Sequence, residues 1–309
     1  MSGQLQRGQP DHPHSAWSAL PTRTPLRFAN GAAVAACPVI AFDTHEDAPP
    51  AGWPQPNWLS GGVGMRPDPN IARIGQRDYG LRAGWPRLRA AILGAGLRYA
   101  AAMDAMTAEQ LPELRDEVAR DVATGGAEWV AHGISINRPL HDGMNEAEEF
   151  GCIAETRHRL AAQGIVAKGW WGPEYGESQR TPALLAEAGY AFTLDWCNDE
   201  QPYAMTVPRG RIAALPPFAD LDDAFSLCSP RGITPASYAA NLAMAAEGLA
   251  RDGASSARCM VWMMRPFLSG QPFRIVPIEA ALKRIGATPG VWAALPSEIL
   301  HQAGLMEAP

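Results

Sequence analysis

Ionisable and aromatic side chains follow several short apolar runs of the sequence, at the point where each run ends. A carboxylate at such a position can activate water as a general base, and a histidine can protonate a leaving nitrogen. An arginine can stabilise the developing oxyanion. No GxSxG nucleophile elbow and no GxxxxGK[ST] phosphate loop is present, so the pattern favours hydrolysis by activated water. The residues at these positions are Asp43, His45, Glu46, Asp104, His132, Trp170, Trp171, Asp195, Trp196 and Arg265.

Each of these residues also has a structural interpretation when it is taken alone. A single histidine after a strand is more often structural than catalytic, and Asp195 fits a turn or helix cap as well as a catalytic role. Asp43 could equally orient a loop, and Arg265 beside Pro266 could pair with an acidic neighbour. Their joint occurrence at strand ends favours one functional site over these separate explanations.

The elements that must position these residues alternate between strands and helices. About eight apolar runs of strand length are separated mostly by helical segments, which predicts a parallel sheet. The clearest unit is residues 164–194, where a helix capped by Thr181 and continued by Pro182 joins two strands. No glycine-rich dinucleotide fingerprint follows the first strand. We therefore predict a distorted (β/α) barrel of seven to eight strands rather than a Rossmann sheet.

The chain is predicted to be one barrel domain, residues 27–309, with an extended N-terminal arm. Residues 1–26 are rich in Pro, His, Ser and Gln, which predicts a flexible arm. Residues 48–76 are rich in Pro, Gly and Trp, and a loop of this length in a compact domain is usually functional, for example as a lid. Nothing in the composition marks a second domain.

The overall composition argues against several classes of partner. The 309 residues carry a net charge of −6 and have a pI of about 5.7, whereas nucleic-acid-binding domains are usually basic. No apolar run approaches the roughly 18 residues of a membrane span. The N-terminus has no apolar signal core and the five cysteines show no CxxC spacing, which predicts a cytoplasmic protein with free thiols. We expect a small-molecule substrate, and neither nucleic acid nor membrane as a partner.

Five segments resemble the polysaccharide deacetylase superfamily, also called the NodB-homology or carbohydrate esterase 4 group. The Trp-Gly-Pro loop in residues 169–190, paired with DWCNDEQPY in residues 195–203, is similar to the branch that contains metal-independent allantoinases and cyclic imide hydrolases. The resemblance implies a distorted (β/α) barrel and a homo-oligomer. The segments are residues 77–88, 131–140, 169–190, 195–203 and 265–275.

The resemblance also implies a set of site residues. Asp43 matches the first carboxylate motif of the family, and His132 matches the first histidine of its HxxxH metal motif. Asp195 and Trp196 match a motif that orients catalytic groups, and Arg265 stands where a histidine usually precedes proline. The predicted catalytic residues are Asp43, Glu46, His132, Asp195 and Arg265. The predicted substrate-binding residues are Tyr79, Asn137, Trp171, Glu174, Trp196 and Asn198.

One departure from the family pattern concerns metal binding. Ile136 occupies the second histidine position of the HxxxH motif and cannot ligate a metal, whereas a divalent metal usually needs three protein ligands. No cofactor is therefore expected. Zinc is the alternative, and its ligands would then be Asp43, His45 and His132.

The resulting functional hypothesis is metal-independent hydrolysis of a non-peptide C–N bond in a small cyclic amide, imide or ureide. Asp43 or Glu46 would activate water and His132 would protonate the nitrogen. Asp195 would orient one of these groups, and Arg265 would bind an oxyanion or a substrate carboxylate. Two alternatives stay open: a metal-dependent N-deacetylase of an acetamido sugar or acetylated amine, and a catalytically silent barrel that binds a ligand or partner.

Overall fold

The computed structural model describes residues 14–53, 68–228 and 232–307. These ranges contain nine β-strands and eleven α-helices. The strands are β1 (Val34–Phe42), β2 (Tyr99–Met103), β3 (Ala127–Ala131), β4 (Gly169–Trp170), β5 (Phe192–Thr193), β6 (Tyr203–Ala204), β7 (Ala213–Ala214), β8 (Arg258–Met264) and β9 (Val291–Ala293). The helices are α1 (Ile71–Tyr79), α2 (Trp85–Gly94), α3 (Ala105–Gln110), α4 (Pro112–Ala123), α5 (Glu146–Ala162), α6 (Thr181–Glu187), α7 (Asp223–Leu227), α8 (Pro235–Gly253), α9 (Pro266–Ser269), α10 (Pro272–Ala287) and α11 (Pro296–Gln302).

These strands form one curled sheet. Its order is β6-β7-β5-β4-β3-β2-β1-β8, with β9 also pairing with β1, and every pair is parallel except β6 with β7. β1 is buried along its whole length because strands flank both of its edges and α8 packs against it. After β7 the chain turns back toward β8, where the amide of Phe218 donates to the carbonyl of Val261 at 2.8 Å. This contact draws the sheet into a distorted barrel, which confirms the predicted fold class.

The predicted strands are present, but β4 and β5 are shorter than expected. Each has two residues, whereas the apolar runs 164–170 and 190–194 predicted longer strands. Ile165 and Tyr190 are buried although they lie outside the strands. An apolar run shows which residues are buried, but not which of them form hydrogen bonds to a neighbouring strand. The apolar runs therefore overestimate the length of β4 and β5. β6 was not predicted, because its two residues are too few to show the alternation of apolar and polar side chains that marks a strand.

Helix starts follow local side-chain chemistry. Thr234 caps α8, since its hydroxyl accepts from the amide of Ser237. The predicted cap of α6 is wrong: Thr181 is its first helical residue, and its hydroxyl donates to Glu149.

α1 begins inside the segment 48–76 that was predicted as a loop, and residues 54–67 of that segment lie outside the described ranges. No helix in the described ranges has the length and apolar character needed to cross a membrane.

Part of the predicted N-terminal arm packs on its own chain. The ring of His14 lies edge to face with the ring of Trp196, with 5.4 Å between centroids. Arg23 pairs with Asp199 at 2.6 Å. Residues 1–13 lie outside the described ranges, and the domain boundary at residue 27 stays a prediction.

Candidate active site

Three of the predicted catalytic residues meet at the carboxyl edge of the sheet. Asp43 directly follows β1, His132 follows β3 and Arg265 follows β8, and each residue is at most 3% exposed. Asp43 and Arg265 are among the charges that act most strongly on His132. The carboxyl ends of parallel strands are where ligands bind in α/β folds, so this buried cluster is the candidate active site.

His132 is held as a neutral imidazole with one free nitrogen. Its Nδ1 lies 2.7 Å from the carbonyl oxygen of Trp171. A carbonyl only accepts, so Nδ1 carries the hydrogen and Nε2 keeps its lone pair. Burial lowers the pKa of His132 to about 4, although Asp43 and the Trp171 carbonyl act in the opposite direction. Nε2 is buried without a hydrogen-bond partner in the described structure, so it is available to a reacting molecule.

Trp171 packs inside the cluster. Its ring stacks on His132 with 4.3 Å between centroids and 25° between planes, and the guanidinium carbon of Arg265 lies 5.4 Å from its ring centre. The side chain is fully buried. Trp171 was predicted to bind substrate, and the structure places its ring against the imidazole of His132, where it fixes the plane of that ring.

Asp43 is an ionised carboxylate with one oxygen engaged and one free. Its Oδ1 accepts from Nε of Arg77 at 3.0 Å, while Oδ2 is buried without a partner in the described ranges. Burial raises the pKa of Asp43, but the positive charges of Arg77 and Arg265 and the hydrogen bond from Arg77 oppose this effect, and the net pKa is lowered. Oδ2 can therefore accept a hydrogen bond from water near neutral pH.

Arg77 is the site residue that the sequence reasoning missed. It lies on α1, is 3% exposed and has the ring of Phe267 4.4 Å from its guanidinium carbon. The turn Gly80–Gly84, which follows α1, packs on the chain after β8, and a Cβ at Gly84 would overlap the carbonyl of Pro266. Glycine there lets α1 approach β8 and brings Arg77 to Asp43.

Tyr79 was the residue chosen from this segment, and the structure places it elsewhere. Its hydroxyl accepts from Nη1 of Arg87 at 3.1 Å in an exposed position. Residues two positions apart on a helix point in different directions, so Arg77 and Tyr79 cannot both face the barrel.

Glu46, His45 and Asn137 form a separate hydrogen-bonded network beside Asp43. Both carboxylate oxygens of Glu46 accept from Arg138, at 2.7 and 2.9 Å, and Ser135 also donates to one of them. Asn137 accepts from the amide of Glu46 and contacts Nε2 of His45 at 3.3 Å. These partners hold the loop after β1, which leaves Asp43 as the carboxylate with a free oxygen.

The peptide group between Trp171 and Gly172 links Asp195 to His132. Its Oδ1 accepts from the amide of Gly172 at 2.8 Å, and the carbonyl of the same peptide unit, that of Trp171, accepts from His132. Burial raises the pKa of Asp195 to about 6. Through these two hydrogen bonds Asp195 is connected to His132, and the orienting role that the resemblance implied stays a prediction.

Trp196 and Asn198 lie away from the cluster. The indole Nε1 of Trp196 donates to Glu177 at 2.9 Å. The side-chain amide of Asn198 donates to the hydroxyl of Tyr203 at 3.1 Å, and Asn198 lines a surface cavity of about 470 Å³ with the N-terminal segment Ser15–Ser18. The structure does not bring these two predicted substrate-binding residues to Asp43 and His132.

Arg265 is neutralised by two aspartates that sequence reasoning did not connect to it. Its Nη1 donates to Asp222 at 2.5 Å and to Asp223 at 3.1 Å, and its amide donates to Asp223 at 2.7 Å. The hydroxyl of Ser269 also donates to Asp223. The acidic stretch 220–223 was visible in the sequence, but the pairing required the fold. These contacts tie the end of β8 to the start of α7.

Glu174 lies near the cluster on strained backbone. Its φ is 55°, in the left-handed region that a residue with a side chain rarely occupies. Such strain tends to occur at functional sites. Burial raises the pKa of Glu174, and Arg265, Arg77 and Asp43 are among the charges that act on it. The structure thus brings this predicted substrate-binding residue to the site.

The residues around Asp43 do not fit a zinc site. His45 uses both ring nitrogens, toward the carbonyl of Glu46 and the side chain of Asn137. The guanidinium of Arg77 opposes a second cation beside Asp43. Across the described ranges, no group of three His, Cys, Asp or Glu side chains could hold a metal ion. Within this cluster of described residues, the unpartnered atoms with a lone pair for a metal are Asp43 Oδ2 and His132 Nε2, fewer than the three protein ligands that zinc usually takes.

Solved structures with the same fold cover most of this chain. An allantoinase, Puue, superposes with a TM-score of 0.77 at 20% identity, over 91% of this chain and 94% of its own. A protein assigned as a polysaccharide deacetylase from Pseudomonas aeruginosa PAO1 gives the same values. Another, from Mycobacterium smegmatis, has a TM-score of 0.74 at 22% identity over 91% and 94% of the two chains. No protein-family model and no curated protein matches the sequence. The chain therefore has the distorted barrel fold of the polysaccharide deacetylases and of Puue allantoinase, as its sequence resemblance predicted.

Proposed function

We propose that this chain hydrolyses a non-peptide C–N bond of a small cyclic amide, imide or ureide without a bound metal. The observation that carries the proposal is the pair of buried, unpartnered proton acceptors, Asp43 Oδ2 and His132 Nε2, at the carboxyl edge of the barrel. An ionised carboxylate and a neutral imidazole can together activate one water molecule. The fold shared with Puue allantoinase supports a ureide as one candidate substrate.

In the proposed mechanism one proton passes from water to the leaving nitrogen through His132. Asp43 Oδ2 orients the water, and Nε2 accepts its proton while the water oxygen bonds to the carbonyl carbon. The imidazolium is stabilised by the charge of Asp43, whose attraction raises the pKa of His132 against the effect of burial. The C–N bond then breaks with its electron pair on nitrogen, which takes the proton from Nε2. His132 thus acts first as a base and then as the acid.

Glu174 is suited to recognise the ring. The charges of Arg265 and Arg77 both act on it, and none of its side-chain atoms makes a hydrogen bond in the described ranges. Cyclic amides and ureides carry N–H groups that a carboxylate can accept. We therefore assign Glu174 to a ring N–H and propose that acyclic amides lacking a second N–H are poorer substrates.

The function is tested with a panel of allantoin, hydantoin, dihydrouracil, succinimide and glutarimide, with and without EDTA. Ring opening is followed by ultraviolet absorbance and product mass. We expect at least one member to be turned over at a rate that EDTA does not change. Loss of turnover in EDTA would instead favour the metal-dependent deacetylase. No turnover of any member would favour the catalytically silent barrel.

The pH dependence follows from the neutral state of His132. Because its pKa is lowered to about 4, Nε2 is protonated and lost as a base only when the pH falls through that value. We expect kcat/KM to be constant between about pH 5.5 and 8 and to decrease below about pH 4.5. The measurement is a pH–rate profile, with circular dichroism at each pH to separate titration from unfolding. An acidic limb near pH 6.5 would show that the reacting group is not this buried imidazole.

A further inference from the structure

Arg77 ends in two donors that the protein leaves unused. Nη1 and Nη2 are buried and have no hydrogen-bond partner among the described residues, while Nε is committed to Asp43 at 3.0 Å. A buried donor without a partner is unfavourable, and more so when it is charged. Two free donors on a buried arginine, beside the candidate catalytic carboxylate, therefore call for an explanation, and a bound molecule that accepts from both supplies one.

The geometry of the free donors limits what they can bind. The terminal nitrogens of a guanidinium present parallel N–H groups that match two oxygens on one carbon, as in a carboxylate. The hydrogen bond from Nε to Asp43 and the packing of the Phe267 ring against the guanidinium fix the plane of the Arg77 side chain. The pair of donors Nη1 and Nη2, called the fork below, therefore has a fixed direction. Arg265 does not offer the same site, because its Nη1 is shared between Asp222 and Asp223.

We propose that Arg77 is a catalytic residue that binds both oxygens on the reacting carbon through Nη1 and Nη2. This inference rests on the proposed hydrolysis and deepens it. When the water oxygen bonds to the carbonyl carbon, the carbonyl π electrons move to its oxygen, and one carbon then carries a hydroxyl and an oxyanion. Breaking the C–N bond restores the C=O and leaves a carboxylic acid, which releases its proton to Asp43 and then to solvent. Arg77 contacts the same two oxygens throughout.

The role explains why the site needs no metal on its substrate oxygens. In metal-dependent hydrolysis a cation polarises the carbonyl and binds the attacking water. Here the guanidinium supplies fixed positive charge at that place, beside the carboxylate that orients water. The proposed role of Arg77 also predicts which products bind. Ring opening yields an acid whose carboxylate remains on Arg77, so products of this class should bind the free protein.

The test compares R77K with the wild type and with R82K. Lysine keeps the charge beside Asp43 but removes the fork, and Arg82 is an exposed arginine of the same segment. We expect R77K to lower kcat by about 10²–10³-fold, as for loss of an oxyanion donor, with a smaller change in KM, and R82K to match the wild type. R77K activity within threefold of the wild type would overturn the assignment.

A binding measurement separates this inference from the proposed function. The probe is succinamate, the ring-opened form of succinimide, with neutral succinamide as its control. We expect calorimetry to show succinamate binding to the wild type and R82K, at least tenfold weaker binding to R77K, and no preference for succinamide. In the wild type alone, succinamate should also shift the guanidinium resonances of a buried arginine in ¹⁵N NMR, a result that does not depend on a variant folding.

The outcomes are distinguishable. Succinamate binding that requires Arg77, without turnover of any cyclic amide, would support the carboxylate site and overturn the proposed function. Turnover of a cyclic amide that R77K does not impair would retain the function and overturn the role of Arg77. Equal binding of succinamate and succinamide would also overturn the role of Arg77, because the guanidinium would then not distinguish a carboxylate from an amide.

Discussion

Replacing His132 with alanine is expected to lower kcat/KM by about 10³-fold, within the 10²–10⁴ range of general acid–base catalysis. Nε2 is the atom proposed to accept the proton from water and to deliver it to nitrogen, so its removal affects both steps. The measurement is steady-state turnover of the best member of the cyclic amide panel. Added imidazole should restore part of the rate, because the deletion leaves a cavity beside Trp171.

His141 provides the matched control. It also follows β3 in the chain, but its Nδ1 accepts from the amide of Gly143 and its ring lies 6.0 Å from that of Trp53. H141A should therefore keep the activity of the wild type. Equal activity in H132A and the wild type, with both proteins folded by circular dichroism, would remove His132 from the mechanism.

The part of the site that the sequence could predict is the part set by the sheet. Asp43, His132 and Arg265 directly follow apolar strands, and a parallel sheet brings the carboxyl ends of its strands to one edge. The alternation of strands and helices was sufficient to infer both the sheet and the edge. Neither required knowledge of a single side-chain contact.

Arg77 could not be predicted because its position depends on a helix whose orientation is set by tertiary packing. It lies 34 residues from Asp43 in the chain, on α1. The segment RDYG offers Arg77 and Tyr79 on different sides of the helix, and only the packing of the turn Gly80–Gly84 against Pro266 selects the inward side. The hydrophobic periodicity of the sequence gives no indication of this contact between the turn and Pro266.

Glu46 shows the same limit for carboxylates. Asp43 and Glu46 both follow β1, and the sequence could not decide which of them would be free to act on water. The choice is made by Arg138, 92 residues along the chain, which occupies both oxygens of Glu46. A catalytic carboxylate is therefore identified by the atom that the fold leaves unpartnered.

The substitution D43N is expected to lower kcat/KM by about 10²–10³-fold while leaving the fold intact. The asparagine oxygen can still accept from Nε of Arg77, so that hydrogen bond is retained, while the charge and the second acceptor oxygen are lost. Without the charge, the imidazolium of His132 is less stable, and the pKa of His132 should fall further. Histidine titration by NMR measures this shift, and D78N, at an exposed aspartate, should leave it unchanged.

The double variant D43N/H132A tests whether the two residues act on the same proton. If Asp43 works by orienting water toward Nε2 and stabilising the imidazolium, its charge has little left to do once the imidazole is gone. The double variant should then be about as slow as H132A alone, rather than slower by the product of the two single effects. Multiplicative losses would mean that Asp43 and His132 act in independent steps, and that Asp43 itself removes the proton from water.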